Sequence, residues 1–597
     1  MDRDLDNDRE VLDLVAHVDT DYSRLSDVDE FVARTEDYAK GLLTSEQYRQ
    51  YRLTRGVYGQ RQDNVFMMRV KIPGGIVKPH QVRALAVLCD HTPDKLGHIT
   101  TRENLQFHSM QMKDVERWMK HIAEAGLTMV DACGNAVRTV TQDPWAGLAP
   151  DEVFDTTPYL QAITRFFLRN PRSLGLPRKF KIALSTSAAD RGFASIHDVG
   201  LVAVRGAATQ EHPDGEPAFR MMVGGGLASM PRSGLVVHEA WPARDILTPM
   251  LAVIDFFQEH GNRKVRSKAR IKHVLRKMGD AAFLAKYLEY LAVVQQEQRD
   301  GKCTAPRIDD VGTVFAARDV WTYARPTDDI ARASGFAEWA ATCVRETRLP
   351  GRVFVQVRLD RGGEVTPQNL NDLADLAESF GEGLLHFTPT QNALLRAVPV
   401  ERLPELYGRL RSAGMARPNA GTVQDITSCP GISTCNLGVT FSRHLADDLV
   451  DVLAGRSDED LTIKISGCHN SCGQHHIGTF GLFGALRRIG GRPAPHYRLM
   501  VGGGIHPHGA EFGDDLGLIP AKRTVEAIQR LLFHADVHRA EGETAGGYLR
   551  RVDKESLKPL IADLIDIPDD KAVEMDFWDI GATNAFLAET REGECAA

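Results

Sequence analysis

The pattern of hydrophobic and polar residues occurs twice along the chain. Residues 66–108 and 353–396 each begin with the apolar–polar alternation of a strand and continue with the spacing of an amphipathic helix. In the second copy, Thr366 can cap this helix, Pro367 fits its first turn and Gly381 can end it. Another strand and helix follow, so each copy is predicted to fold as strand, helix, strand, helix.

The two copies align without a gap. Val365 follows Val77 by 288 positions, and His98 and Asn104 match His386 and Asn392 at the same offset. A second repeated element follows each copy, because "FRMMVGGG" and "YRLMVGGG" both run from a strand pattern into three glycines. The order A-B-A′-B′ predicts two related halves that face each other across a pseudo-twofold axis, with one central cleft.

Composition and charge restrict the class of protein. A chain of 597 residues is too long for a single core, and a net charge of -8 argues against a general nucleic-acid binder. The first residues are polar and acidic, and no apolar run reaches the roughly 20 residues of a membrane span. We therefore expect a cytoplasmic protein that binds neither nucleic acid nor membranes.

Four of the nine cysteines are grouped. Cys429 and Cys435 form C-x5-C, and Cys468 and Cys472 form C-x3-C. Four thiolates in two pairs suit either zinc or an iron–sulfur cluster. The surrounding loops are rich in Gly, Ser, Pro and Asn and can turn backbone N–H groups toward cluster sulfurs, which favours a [4Fe-4S] cluster. The neighbouring histidines are not counted as metal ligands; these are His469, His475 and His476.

These cysteine spacings, inside a twice-repeated chain, resemble the siroheme- and [4Fe-4S]-containing nitrite and sulfite reductases. The resemblance covers about residue 55 to about residue 540. It implies siroheme and a [4Fe-4S] cluster as cofactors, with the four cysteines as cluster ligands. It also implies that the sulfur of Cys472 is shared between the cluster and the siroheme iron. The expected reaction is the six-electron reduction of sulfite to sulfide in sulfur assimilation; the alternative is reduction of nitrite to ammonia.

The resulting prediction is an α+β fold, internally duplicated, with two ferredoxin-like half-domains and two larger mixed α/β domains around a central cofactor cleft. The half-domains are placed at 56–130 and 341–418, after a helical extension at 1–55. A siroheme and substrate domain is expected at 131–340, and a [4Fe-4S] and siroheme domain with the C-terminal tail at 419–597.

Basic residues at positions that match the family's substrate-binding pattern supply charge for an anion. The resemblance assigns Arg102 and Arg138 to anion binding, and Lys179 and Lys181 to binding and proton delivery. In "KFK" both lysines point to the same side of a strand. Repeat counterparts of the arginines are uncharged, Thr390 and Ile426, as expected if one half binds substrate. Lys181 favours sulfite, since the related nitrite reductases typically have asparagine there.

Siroheme carries eight carboxylates, so the resemblance also implies cations around its rim. Residues 261–279 are rich in Lys and Arg, and a helix there would place Lys264, Lys268 and Lys272, or Arg263, Arg266 and Arg270, on one side. Of these, Lys268 is the predicted cofactor contact. Gly225 and Gly503 lie in glycine triplets and are expected near the heme carboxylates or the cleft floor, with a tight turn as the alternative.

Electrons are expected from another protein, because no G-x-G-x-x-G fingerprint follows a strand. The donor is predicted to be a ferredoxin or a flavoprotein, and the chain a monomer or weak oligomer. A protein of another class, zinc-stabilised and regulatory or RNA-binding, would use residues 262–277 as its basic patch. The negative net charge and the long repeat both argue against that class.

Overall fold

A computed structural model describes residues 18–208, 210, 212–303, 305–308, 335–587 and 594. Residues 1–17 of the predicted N-terminal extension lie outside this part. The rest of the extension forms helices α1, Leu25–Ala39, and α2, Ser45–Thr54. Thr44 caps α2, because its hydroxyl accepts from the backbone N–H of Gln47 while the Gln47 side chain accepts from the N–H of Thr44.

The first repeat copy consists of five strands and two helices. They are β1, Val57–Gly59; β2, Val65–Val70; β3, Ile76–Val77; α3, Pro79–Asp90; β4, Gly97–Ile99; β5, Leu105–Gln111; and α4, Met112–Glu124. The predicted second strand is therefore a hairpin of β4 and β5, and the prediction of a single strand was wrong. The chain reverses at residues 100–104, where Glu103 has a φ of 59°.

The first larger domain contains a mixed sheet. Its elements are β6, Thr141–Gln142; α5, Thr157–Phe167; β7, Ile182–Ser185; β8, Val199–Arg205; β9, Pro217–Val223; β10, Leu235–Pro242; α6, Leu247–His260; α7, Ile271–Met278; and α8, Asp280–Arg299. The strand order is β10-β9-β8-β7-β6, in which β6, β7 and β8 are parallel and β8, β9 and β10 are antiparallel.

The second copy repeats the first. Its elements are α9, Phe336–Cys343; β11, Val344–Glu346; β12, Arg352–Val357; β13, Glu364–Val365; α10, Pro367–Phe380; β14, Leu385–Phe387; β15, Ala393–Pro399; and α11, Leu403–Ser412. Thr366 caps α10 and Pro367 is its first residue, as the sequence predicts.

The second larger domain has the same mixed sheet and an added hairpin. Its elements are β16, Thr427–Ser428; α12, Ser442–Val452; β17, Ile463–Ser466; β18, Phe480–Ile489; β19, Arg492–Val501; β20, Gly504–His506; β21, Gly509–Glu511; β22, Asp514–Pro520; α13, Thr524–His538; and α14, Ala545–Arg551. The order β16-β17-β18-β19-β22 has the same pattern of parallel and antiparallel pairs as the first domain.

The two repeat copies exchange edge strands. Their sheets have the orders β1-β2-β5-β4-β13 and β11-β12-β15-β14-β3, so each sheet ends on a strand from the other copy. Val365 pairs with Gly97 on one side, and Val77 pairs with Leu385 on the other. Helices α3 and α10 pack together in a shared core, where Cys89 and its counterpart Ala377 are both buried. The predicted duplicated α+β architecture is confirmed, and the five-segment division remains our proposal.

The basic stretch 261–279 differs from its prediction. The Asn262 side chain accepts from the N–H groups of Lys264 and Val265, and this local turn competes with helix formation. A single 3-10 turn follows at Arg266–Lys268, and α7 begins only at Ile271. The stretch is therefore not one continuous helix, so the helical spacing considered from the sequence does not describe it. Among the described residues, no helix combines the length and apolar character required to cross a membrane.

Candidate active site

One cavity between the halves is lined by both groups of predicted site residues. All four cysteines of the two pairs contribute to its wall, and so do the four basic residues: Arg102, Arg138, Lys179 and Lys181. These residues come from different segments of the chain, since the basic residues belong to the first half and the cysteines to the second. The structure therefore brings together what the sequence places more than 200 positions apart.

The cavity is strongly positive. Nine Lys or Arg residues line it; besides the four predicted ones they are Arg69, Arg178, Arg266, Arg270 and Lys272. Glu594 is the single Asp or Glu among the described residues of its lining. Such an excess of fixed cations in a partly closed space suits a polyanionic ligand or a small anion.

The lysine segment, which lies just before β7, has the predicted alternation. Phe180 is buried in the core and forms a bridge with Val137, while Lys179 and Lys181 on either side both line the cavity. The backbone N–H of Lys181 donates to Asp198 Oδ2 at 2.8 Å. Burial holds the pKa of Lys181 well below that of an ordinary lysine, and Arg102, Arg270 and Lys179 lower it further. Lys181 is therefore suited to releasing a proton.

The two arginines are held by neutral oxygen atoms. Arg138 donates from Nε to the carbonyl oxygen of Gly134 at 2.9 Å and from another nitrogen to that of Ala132 at 3.0 Å. Arg102 donates to Thr141 Oγ1 at 3.3 Å and to the carbonyl oxygen of Thr139. Burial lowers the pKa of Arg102 to about 10. Neither side chain has a carboxylate in these contacts, so both keep their charge available for an anion.

Two cysteine sulfurs have hydrogen-bond donors from the loops around them. The N–H of Gly467 donates to Cys429 Sγ at 3.1 Å, and Asn470 Nδ2 donates to Cys468 Sγ at 3.4 Å. Burial raises the pKa of the Cys468 thiol to about 12. A thiolate at this position therefore needs a compensating positive charge, and bound metal supplies it.

The four cysteines lie on one cavity wall, so a single metal group could contact all of them. A zinc ion needs its ligands within about 2.3 Å of one point, whereas a cubane holds four thiolates around a larger body.

The cysteine loop has a counterpart in the first half that sequence comparison missed. Ser466 follows Ser185 by 281 positions, and at this offset Gly473 matches Gly192. In each loop the glycine N–H donates to the serine hydroxyl, at 3.0 and 3.1 Å. The residue after each glycine, Gln474 or Phe193, has a φ near 60°, at 62° and 57°.

In the first half, an ion pair stands where the second half has cysteines. Arg191 occupies the position of Cys472, and its guanidinium lies 3.0 Å from Asp143 and 2.7 Å from Asp151. Asp143 corresponds to Cys429, since each follows the short parallel strand that precedes its loop. The cysteine loop is thus a variant of a duplicated structural loop, in which thiols replace an ion pair.

Polar side chains on β4 and β5 also line the cavity, and sequence analysis did not single them out. Gln106 and His108 alternate along β5, and His98 lies on the neighbouring strand β4. Both ring nitrogens of His108 are buried without a hydrogen-bond partner, and burial lowers the pKa of this histidine to about 3. The two-residue period of "NLQFH" could have identified this face.

Three predicted cofactor contacts lie elsewhere. Gly225 and Gly503 are absent from the cavity wall; a Cβ atom on them would lie 2.5 Å from the carbonyl oxygens of Ser195 and His476. Their glycine requirement therefore comes from close packing against their own chain. Lys268 is exposed and outside the lining, whereas Arg266, Arg270 and Lys272 line the cavity. His469 lines the cavity, while His475 and His476 do not.

Two family models match the chain. The model described as "Nitrite and sulphite reductase 4Fe-4S domain" matches residues 133–294. The model described as "Nitrite/Sulfite reductase ferredoxin-like half domain" matches residues 58–125 and 347–413, which are the two repeat copies. The first match covers the domain with the ion pair, whose duplicated counterpart carries the four cysteines.

Individual proteins are similar over most of the chain. "Sulfite reductase [ferredoxin] 1" of Mycolicibacterium paratuberculosis is 28% identical, covering 83% of this chain and 83% of that protein. "Ferredoxin--nitrite reductase" of Synechococcus elongatus is 27% identical, covering 74% of this chain and 80% of its own length. The solved structure of the Mycobacterium tuberculosis NirA protein superposes with a TM-score of 0.72 at 25% identity, covering 91% of this chain and 96% of that one.

Proposed function

Because the chain belongs to the nitrite and sulfite reductase family, we propose that it reduces sulfite to sulfide with electrons from a separate ferredoxin. The observation that carries the proposal is the shared cavity, in which nine cations face a wall of four cysteines. Sulfite takes up six electrons and seven protons to give hydrosulfide and three molecules of water. The site must therefore hold an anion, supply protons and accept electrons in sequence.

Siroheme and a [4Fe-4S] cluster are the cofactors of this family, and the residues present fit both. When bound, they supply an open coordination position on iron and a path for single electrons. Cys429, Cys435, Cys468 and Cys472 would hold the cluster. The carboxylates of siroheme would be met by cations outside the substrate-binding set: Arg69, Arg178, Arg266, Arg270 and Lys272. Gln106 and His108 add neutral hydrogen-bonding groups to the cavity lining.

Arg102 and Arg138 would bind and orient the substrate. Each guanidinium presents a planar set of N–H donors, which matches the oxygen atoms of an oxyanion. Because their contacts fix them to backbone carbonyls and to a hydroxyl, they are already oriented before the anion arrives. This preorganisation stabilises negative charge without further movement.

Lys179 and Lys181 would bind the anion and deliver protons to the oxygen atoms that leave as water. The lowered pKa of Lys181 makes its ammonium group a better acid than an ordinary lysine. Sulfite carries more negative charge than nitrite, so a second lysine on this strand favours sulfite. Nitrite remains the alternative substrate, as the Synechococcus relative is named a nitrite reductase.

The electron donor is inferred from the names of the similar proteins. Both the M. paratuberculosis and the S. elongatus proteins are named for ferredoxin. A donor would have to approach the half of the molecule that carries the four cysteines. The oligomeric state stays a prediction.

A spectrum and an assay test the proposal. The purified protein should show the Soret and red-shifted bands of siroheme, and it should form sulfide from sulfite when chemically reduced ferredoxin is supplied. A parallel assay with nitrite measures the alternative. A colourless protein that contains no iron after anaerobic reconstitution, or one that forms ammonia far faster than sulfide, would contradict the proposal.

A further inference from the structure

The turn that carries Arg102 has a structural twin in the other half of the molecule. Residues 100–104 and 388–392 match at the repeat offset of 288, so Glu103 corresponds to Gln391. Both residues have left-handed backbone angles, with φ of 59° and 69°. The N–H of Glu103 donates to Thr100 O at 2.8 Å, and the N–H of Gln391 donates to Thr388 O at 2.9 Å. The two side chains therefore start from equivalent positions.

The contacts of Gln391 show what this position requires. Its Oε1 accepts from the backbone N–H of Ser428 at 2.8 Å. Its Nε2 donates to the carbonyl oxygens of Ile99 at 3.1 Å and Gly362 at 2.7 Å. The position thus offers one N–H donor and two carbonyl acceptors, and a side chain that both accepts and donates satisfies them.

An ionised Glu103 can accept the N–H hydrogen bond at this position but cannot donate one to the carbonyl acceptors. Its Oε2 accepts from the N–H of Gln142, the counterpart of Ser428, at 3.4 Å. Its Oε1 is buried and has no hydrogen-bond partner, although the residue is fully excluded from solvent. At the repeat offset of 288, the carbonyls of Gly74 and Phe387 correspond to those of Gly362 and Ile99, which accept from Gln391. A carboxylate has no hydrogen to donate to a carbonyl, whereas a protonated carboxyl group has one.

We propose that Glu103 is a positioning residue whose protonated carboxyl group fixes the turn that carries Arg102 and thereby places Arg102 for substrate binding. The Oε1–H group takes the role of the Gln391 amide and donates to the facing carbonyl oxygens, while Oε2 accepts from Gln142. The role of Glu103 in placing Arg102 for substrate rests on the proposed sulfite reduction. The protonation of Glu103 does not depend on that proposal.

The charges around Glu103 agree with a neutral carboxyl group. Burial raises the pKa of Glu103 well above its usual value of 4.5; Arg102 opposes the shift and Asp143 adds to it. Asp143, at the end of β6, is itself paired with Arg191 from the loop after β7, and Arg191 is paired with Asp151. Arg102 directs its guanidinium to Thr141 and Thr139. Within the part of the chain that the structure describes, no hydrogen bond or ion pair therefore joins Glu103 to a cation.

Protonation has a measurable consequence for stability. An acid whose pKa is raised on folding binds more protons in the folded than in the unfolded state, between the two pKa values. Glu103 therefore lowers stability increasingly as pH rises above 4.5, whereas a glutamine at the same position does not. Glu103→Gln should unfold at the same temperature as wild type near about pH 5 and roughly 2 °C or more above it near about pH 9.

Gln391→Glu is the matched control for this measurement. It introduces the same carboxyl group into the twin position, so its unfolding temperature should fall relative to wild type as pH rises. Infrared spectroscopy provides a second readout, since the C=O stretch of a protonated carboxyl group should be lost in Glu103→Gln. A difference in unfolding temperature that does not change with pH, together with an unchanged infrared spectrum, would overturn the assigned protonation.

Kinetics test the positioning role separately. Glu103→Gln should keep the KM for sulfite within about twofold of wild type, while Glu103→Ala should raise it about fivefold with little change in kcat. Equal KM values in all three proteins would show that Glu103 does not position Arg102. If no protein in the set reduces sulfite, the proposed function fails, but the unfolding and infrared measurements still decide the protonation.

Discussion

The hydroxyl of Thr101 donates a hydrogen bond to the carbonyl oxygen of Cys472 at 2.9 Å. Thr101 precedes Arg102 in the turn between β4 and β5, and Cys472 is the last of the four grouped cysteines. This hydrogen bond therefore connects the half that carries the basic residues of the cavity to the half that carries its cysteines. Additional contacts at 3.2 and 3.0 Å, from Arg61 to Gly438 O and from Gln62 to Ser433 O, hold the other cysteine loop.

Replacing Thr101 should disturb this connection. Thr101→Ala removes the hydroxyl, which we expect to cost about 1 kcal/mol of stability and to lower kcat for sulfite about three- to tenfold, because the two loops would no longer hold a fixed separation. Thermal unfolding and steady-state kinetics measure the two effects. Thr101→Ser keeps the donor and should resemble wild type; equal losses in the serine and alanine variants would contradict the role of the hydrogen bond.

Removing any cluster cysteine should remove bound iron. Changing Cys429, Cys435, Cys468 or Cys472 to serine should reduce iron per chain to less than about a tenth of the wild-type value, since a [4Fe-4S] cluster requires all four thiolates. Metal analysis measures the loss of iron, and the visible spectrum measures the loss of cofactor absorption. Cys303→Ser is the control, because Cys303 contacts Arg172 away from the cavity. Stoichiometric zinc in the wild-type protein would refute the cluster assignment.

Lys181 should determine the preference for sulfite. Lys181→Asn removes one cation from the cavity, and we expect kcat/KM to fall about 100-fold for sulfite but less than about tenfold for nitrite. The physical reason is that the doubly charged anion loses more Coulomb energy than the singly charged one. Paired assays with both substrates on the same preparation measure the ratio. Similar decreases in kcat/KM for sulfite and nitrite would show that Lys181 does not discriminate between the two substrates.

The pH dependence of sulfite reduction should reflect the ionisation of the Lys181 ammonium group. Its pKa is lowered by burial and by neighbouring cations, so its ammonium group loses a proton at lower pH than an ordinary lysine. If this proton is used, kcat/KM for sulfite falls as pH rises through the lowered pKa. Lys181→Arg stays protonated and should move the fall to higher pH. If the decrease of kcat/KM at high pH is the same in Lys181→Arg as in wild type, another group than Lys181 causes it.

Glu594 should weaken anion binding. It is the single carboxylate among the described lining residues, and it accepts a hydrogen bond from Arg52 at 2.8 Å and another from the N–H of Gly59. Glu594→Gln should lower the KM for sulfite about two- to threefold, because one repelling charge disappears. The substitution should also lower the free energy of unfolding by about 1–2 kcal/mol, since the buried Arg52 loses its ionic partner.

A remote ion pair serves as the control for this variant. Glu574 pairs with Arg492 at 3.0 Å on the surface, outside the cavity. Glu574→Gln should leave the KM for sulfite unchanged. Kinetics at several ionic strengths would separate a charge effect from a change in structure, because salt screens the former. A KM that rises in Glu594→Gln would show that the carboxylate organises the site instead of repelling the anion.

The sequence alone determined the duplication, the cysteine set and the alternation of the two lysines. Each of these is a pattern in the order of the residues: a constant offset, a fixed spacing and a period of two. Phe180 is buried between two cavity-facing lysines because adjacent side chains of an extended chain point to opposite sides. Thr366 caps α10 because capping needs only the residues of one helical turn. Such features follow from neighbours in the chain, so the sequence pattern predicts them.

Only the tertiary structure decided how the halves join and which cations face the cavity. β3 and β13 have two residues each, too few for a periodic signal, and each pairs with the opposite copy. Lys268 and Lys272 were equivalent candidates by helical spacing, but a turn at Asn262 and a late helix start expose the first and direct the second inward. The correspondence of Glu103 and Gln391 is informative only once the hydrogen bonds of both side chains are known. All three outcomes depend on contacts between segments that are distant in sequence. For Lys272 these are the hydrogen bonds from its ammonium group to the carbonyl oxygens of Leu227 and Ser229.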